Sequence, residues 1–195
     1  MDSPPQRVIG YHGTSEENAE RILVDGFVVS ANRYDWLGDG TYFFQEVDGF
    51  PRSGLEHAWA WACRQHELPA VIRVTIELID CMDLLDHGWA SRLRQMHDAL
   101  TERARQIGRD LPRQAGGNHG LDRLLVNYLA GVMEDAGRPV RTVRGCFGED
   151  ERAAFPGSSL FDLTHVQVAV RDAGVIFDRS RVEELPPLRP VPWSA

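Results

Sequence analysis

Residues 7–27 read RVIGYHGTSEENAERILVDGF. RVIGY (7–11) is a short apolar, β-branched run of the kind that forms a buried strand. HGT (12–14) follows as a turn. Ser15 is placed to cap a helix over Glu16 to Asp25, with Glu16 and Glu17 in the first turn, where the helix dipole favours acid. Ala19, Ile22 and Leu23 give that helix one apolar face. Gly26 suits the position just past its end, and Phe27 can pack back on the last turn. A strand that hands over to a capped helix through His12 and Gly13 admits two readings. One is a turn with a helix cap. The other is a slot for a small planar ligand.

The rest of the chain supplies context. WLGDGTYFF (36–44) is a glycine turn entering a strand, GLEHAWAWACRQH (54–66) a helix, and AVIRVTIEL (70–78) a strand with period-two apolar residues. From 84 to 137 the pattern changes. Trp89, Leu93, Met96, Leu100, Ala104 and Ile107 recur at steps of three and four, as do Leu121, Leu124, Leu125, Tyr128, Leu129, Val132 and Met133. These are two amphipathic helices split by a loop over 111–120. VRTVRGCF (140–147) and HVQVAVRD (165–172) read as strands, joined by an acidic loop holding Pro156 and Gly157. Strands near both ends with helices clustered between them predict an α+β domain over 6–185, with 84–137 as a helical insertion and 186–195 as a Pro-rich tail.

Composition excludes some classes. The 195 residues carry a net charge of −8, which argues against broad charge-driven nucleic-acid binding. All 21 basic residues are arginine. That bias reads as compositional, with avoidance of lysine-directed modification as the alternative. Cys63, Cys81 and Cys146 have no metal-type spacing and read as free thiols in a reducing compartment. Neither a membrane-spanning run nor a secretory leader is visible, so a cytoplasmic location is expected. No metal is expected, and no phosphate-cradling glycine motif of the GxGxxG or GKS/T type is present.

Taken as chemistry, Gly13 offers a backbone N–H and C=O as a matched pair for a primary carboxamide, with no side chain in the way. His12 can hydrogen-bond a ribose hydroxyl, and Tyr42 can lie flat against a heteroaromatic ring. Those three partners describe the nicotinamide riboside half of NAD. Each residue alone has a plain structural reading, as a core or capped histidine, a turn glycine or a core aromatic.

The pattern YHGT…ILxxGF…LGxGxYF resembles the ADP-ribosyltransferases of the His-Tyr-Glu class, which includes poly(ADP-ribose) polymerases and diphtheria-toxin-like enzymes. The likeness is specific over 8–44, looser over 140–176 and absent over 84–137. It implies a core of two packed, mainly antiparallel sheets with flanking helices. It implies that His12 binds the NAD ribose, Gly13 clamps the nicotinamide amide, Thr14 takes the neighbouring small-hydroxyl position, Tyr42 lies on the ring and Phe43 sits behind it as core. Trp61, with Trp59 next in line, would cover the other ring face. The chain departs from the pattern at the third signature position, where Gln167 stands for the family's glutamate. Glutamine can still hydrogen-bond a ribose hydroxyl, but it carries no charge and is no base.

Arg144, Phe147, Glu149 and Ser158 flank the substrate loop the resemblance implies. Arg144 would meet the NAD diphosphate or an acidic neighbour. His165 would orient Gln167 or the acceptor. Glu149, Glu151 or Asp162 would be other sources of negative charge. The resemblance implies NAD-dependent transfer of a single ADP-ribosyl group to a protein, RNA or DNA acceptor, with a toxin or phage-defence role and an antitoxin partner by analogy. The alternatives are an inactive NAD- or ADP-ribose-binding module, or an NAD glycohydrolase.

Overall fold

The computed structural model describes residues 5–32, 35–50, 52–113, 119–148 and 164–187. The strands are β1 (Arg7–Ser15), β2 (Thr41–Gln45), β3 (Pro69–Glu77), β4 (Cys81–Asp83), β5 (Thr142–Gly148), β6 (Thr164–Val170) and β7 (Ile176–Arg181). The helices are α1 (Glu16–Asp25), α2 (Gly54–Gln65), α3 (His87–Gln106) and α4 (Gly120–Asp135). The fold is α+β, as the order of elements predicts.

The strands form one sheet in the order β4-β5-β6-β2-β1-β3-β7. Every neighbouring pair is antiparallel except β4 and β5. This corrects the expectation of two packed sheets, since β1 and β2 join the halves through a narrow seam. β1 pairs with β3 along all nine of its residues, but with β2 only at Gly10↔Gln45 and Tyr11↔Phe44. An adjoining bond runs from the Glu46 N–H to the Ile9 carbonyl (2.8 Å). Beyond Tyr11 the two strands part.

One further expectation needs correction. His12 and Gly13 lie within β1 rather than in a turn, because β3 holds the strand as far as Ser15↔Pro69. Residues 176–181, assigned no element from the sequence, form the edge strand β7. Its IFDRSR sequence lacks apolar alternation because most of its side chains face solvent.

The local caps behave as the residue types dictate. The Ser15 hydroxyl accepts from the Asn18 N–H (3.2 Å), and Gly26 ends α1 with φ 93°, a backbone conformation that favours glycine. Ser53 and Glu56 close a reciprocal capping box on α2.

The two sheet faces carry separate cores. Val8, Phe43, Ile72, Val74, Val168 and Val170 pack beneath α1. On the other face Leu37, Met82, Val143 and Ala169 pack against Val126, Leu129 and Ala130 of α4. The alternation read into β6 therefore holds: Val168 and Val170 bury on one side, Ala169 on the other. α3 covers α4 through Trp89, Leu93 and Met96. Among the described residues, no helix is long and apolar enough to cross a membrane.

Candidate functional site

The parting of β1 from β2 opens a cleft of about 730 Å3, a size ordinary for a small-molecule site. Backbone hydrogen bonding explains what its edge offers. Leu78 N–H donates to Gln6 C=O and Glu16 N–H to Leu68 C=O, so the ladder to β3 uses the even-numbered residues of β1. The amide and carbonyl of Gly13 therefore face the β2 side. Continued register would set Gly13 opposite Tyr42. Instead the His12 imidazole reaches across, and its Nδ1–H donates to the Tyr42 carbonyl (2.8 Å).

That bond fixes the histidine tautomer. A carbonyl only accepts, so Nδ1 carries the proton and Nε2 is left as an acceptor. Burial holds the His12 pKa below the usual imidazole value, which keeps the ring neutral. Phe27 meets the ring edge-on (5.4 Å) and Phe43 lies behind it (5.7 Å). Phe43 is fully buried core, as expected.

Gly13 has a stronger reason to be glycine than ligand access. A Cβ there would sit 2.3 Å from the Ala58 carbonyl oxygen of α2. The close crossing of α2, made by Ala58 and Ala62, requires it. Thr14 is buried beside it and lines the cleft.

Tyr42 lies on the opposite sheet face from His12. Its hydroxyl donates to the Gly38 carbonyl and accepts from the Leu37 N–H, both at 2.8 Å. Burial first, and then the negative charge of Asp35, push the phenol's pKa far up. The hydroxyl is thus committed to the turn, and Tyr42 presents its ring to the cleft rather than an acid or base. Trp61, on α2, also lines the cleft. Trp59 is not among the lining residues.

Gln167 is buried on β6, opposite Phe44 and Gly145. The Trp36 indole N–H donates to its Oε1 (3.2 Å), and its Nε2 amide donates to His165 Nε2 (3.1 Å). Both ends of the carboxamide are oriented, and His165 fills the orienting role expected of it. Trp36 is stacked on Phe147 (4.0 Å, 22°) and lies against His119 (4.4 Å).

Arg144 is not among the residues lining the cleft. It donates to Gln45 Oε1 (2.8 Å) and pairs with Asp83 (3.0 Å), taking the acidic-neighbour alternative. Glu149, Ser158, Glu151 and Asp162 lie outside the described residues. Among the described residues, no group of three or more His, Cys, Asp or Glu side chains is arranged to hold a metal ion.

Several cleft residues escaped the sequence reading, Trp36, Asp35 and His119 among them. Trp36 and Asp35 immediately precede the LGDG turn, where their proximity to a glycine pair was the available signal. His119 stands at the N-cap position just before α4, in the segment read as a helical insertion or layer. Asn18, Arg21 and Arg64 line the cleft as well.

Comparison with family models, with curated proteins and with solved structures returned no match.

Proposed function

We propose that the chain is an NAD-dependent mono-ADP-ribosyltransferase. The observation that carries this reading is the seam. At one point it offers an unpaired-edge glycine, a neutral imidazole with an accepting Nε2, and an aromatic ring pinned by its own hydroxyl. A nicotinamide amide needs one donor and one acceptor in a plane, which the Gly13 backbone supplies. The ring needs flat apolar walls, which Tyr42 and Trp61 supply. A ribose hydroxyl needs an acceptor, which His12 Nε2 supplies.

In this reading NAD is a co-substrate. The bond from ribose C1″ to the nicotinamide nitrogen breaks, and its electron pair leaves with nicotinamide. Gln167, oriented by Trp36 and His165, hydrogen-bonds the ribose while the acceptor attacks C1″ and releases its proton. Orientation within the cleft provides most of the assistance. A neutral glutamine does not deprotonate a second ribose, so transfer of a single unit fits better than chain growth. The acceptor class, protein or nucleic acid, is left to the experiment, as is any antitoxin.

A second reading is a binding module without chemistry, favoured by the neutral Gln167. Nicotinamide release from NAD separates the two, measured with and without cell lysate and with His12→Ala as control. Release that needs both lysate and His12 supports the transferase. Equal release without lysate points to a glycohydrolase. Binding of NAD without release leaves the module.

A further inference from the structure

The proposed chemistry has a charge problem. The nicotinamide ring of NAD is cationic, and the positive charge passes to the ribose as the glycosidic bond breaks. The residue expected to answer it, Gln167, is neutral. The described cleft residues include two carboxylates, Asp25 and Asp35. Asp25 is exposed at the end of α1, whereas Asp35 is only 4% exposed.

Asp35 is held in an unusual way for a buried acid. The Ser30 hydroxyl (2.8 Å) and the Asn32 N–H (2.5 Å) both donate to Oδ2. Asn32 Nδ2 in turn donates to the Ser30 oxygen, so the hydroxyl proton is directed at the carboxylate. These partners are neutral, and among the described residues no arginine or histidine pairs with Asp35. Among the described residues, both of these bonds go to Oδ2 and none goes to Oδ1. Buried carboxylates are normally paired with a cation, because desolvating one alone is costly. A buried acid that lines a cleft with no cation paired to it among the described residues is suited to meet a cation from outside.

Its position supports this. Asp35 immediately precedes Trp36, which binds Gln167, and its charge is felt at the Tyr42 wall. We propose that Asp35 is the counter-charge of the cleft, selecting a cationic nitrogen heterocycle over its neutral form. Resting on the NAD reading, it favours NAD+ over NADH and provides the negative charge that Gln167 lacks. As C1″–N1 cleaves, the electron pair goes to the ring nitrogen and the ring becomes neutral. The positive charge then resides on the ribosyl group until the acceptor attacks and loses its proton. Asp35 acts through its position beside the ring and forms no bond.

The test is calorimetric binding of an uncleavable carbocyclic NAD+ and of NADH to the wild-type chain and to Asp35→Asn. Asparagine keeps an oxygen for Ser30 and Asn32 and removes only the charge. The wild type is expected to prefer the cation at least tenfold. Asp35→Asn is expected to lose roughly tenfold in NAD+ affinity while NADH affinity holds. Equal binding of both forms by the wild type overturns the proposal without any variant. So does an unchanged preference, or an equal loss for both forms, in a folded Asp35→Asn.

If neither dinucleotide binds the wild type, the NAD reading falls. The charge claim is then decided by 1-methylnicotinamide, a cation, against neutral nicotinamide. A preference for the cation that Asp35→Asn removes sustains the claim, and no such preference overturns it.

Discussion

Gly13 illustrates how one residue answers to two demands. Its backbone faces the β2 side, and its missing side chain admits α2. Gly13→Ala is expected to cost about 1–3 kcal/mol through the collision with the Ala58 carbonyl, read as a lower melting temperature. His12 titrates in the opposite sense to a salt-bridged histidine. Because burial lowers its folded pKa, the unfolded chain binds its proton first as pH falls. Its contribution is present above the ordinary imidazole value and is lost as pH drops below it. Melting curves between pH 7 and 5 should therefore be flatter for His12→Asn, whose amide can still donate to the Tyr42 carbonyl. Gln167→Glu tests the chemistry at the third position. Nicotinamide release is expected to rise, by roughly 10²-fold at the upper end, since the new charge sits where a strong transition-state contact belongs. His165 Nε2 now accepts from Gln167, and beside a glutamate the neutral imidazole keeps that bond by carrying its proton on Nε2 instead.

At the level of elements, α4 is joined to the site rather than set apart from it. The Asn127 side-chain oxygen accepts from the Asp39 N–H (2.9 Å) and from Arg171 (2.8 Å), and Arg123 pairs with Asp39 (2.7 Å). These bonds hold the turn whose backbone holds the Tyr42 hydroxyl. Asn127→Ala should destabilise by about 1–2 kcal/mol, because it leaves two donors without their acceptor. Arg123→Ala, at a half-exposed pair, should cost under about 1 kcal/mol. Urea melts of the two variants decide the ranking. Local caps and the strand at 70–78 were legible because they depend on near neighbours. The role of α4 was not, since Asp39 and Asn127 are 88 residues apart and meet only in the fold. Amphipathic stripes on 84–137 announced packing, and packing hid the polar residues between them.

Across the whole molecule, the α+β class followed from where strands and helices fall along the chain. The single sheet did not, since strand order depends on long-range pairing. His12, Gly13, Thr14, Tyr42, Trp61 and Gln167 do meet at one cleft. The order of motifs made that grouping readable, whereas Asp35 and Trp36 needed coordinates to acquire their partners. Hydrogen exchange offers a check at this scale. Along β1, the amides of His12 and Thr14 should be slow and that of Gly13 faster, and NAD should slow Gly13 selectively.

The seam between β1 and β2 also changes what counts as a ligand. A planar primary amide set against Gly13 presents the same donor and acceptor as one residue of a neighbouring strand. Such a molecule extends the ladder by one rung and ties the two halves of the sheet together there. Its binding is then a small act of folding, and the stability it adds grows with the logarithm of its concentration.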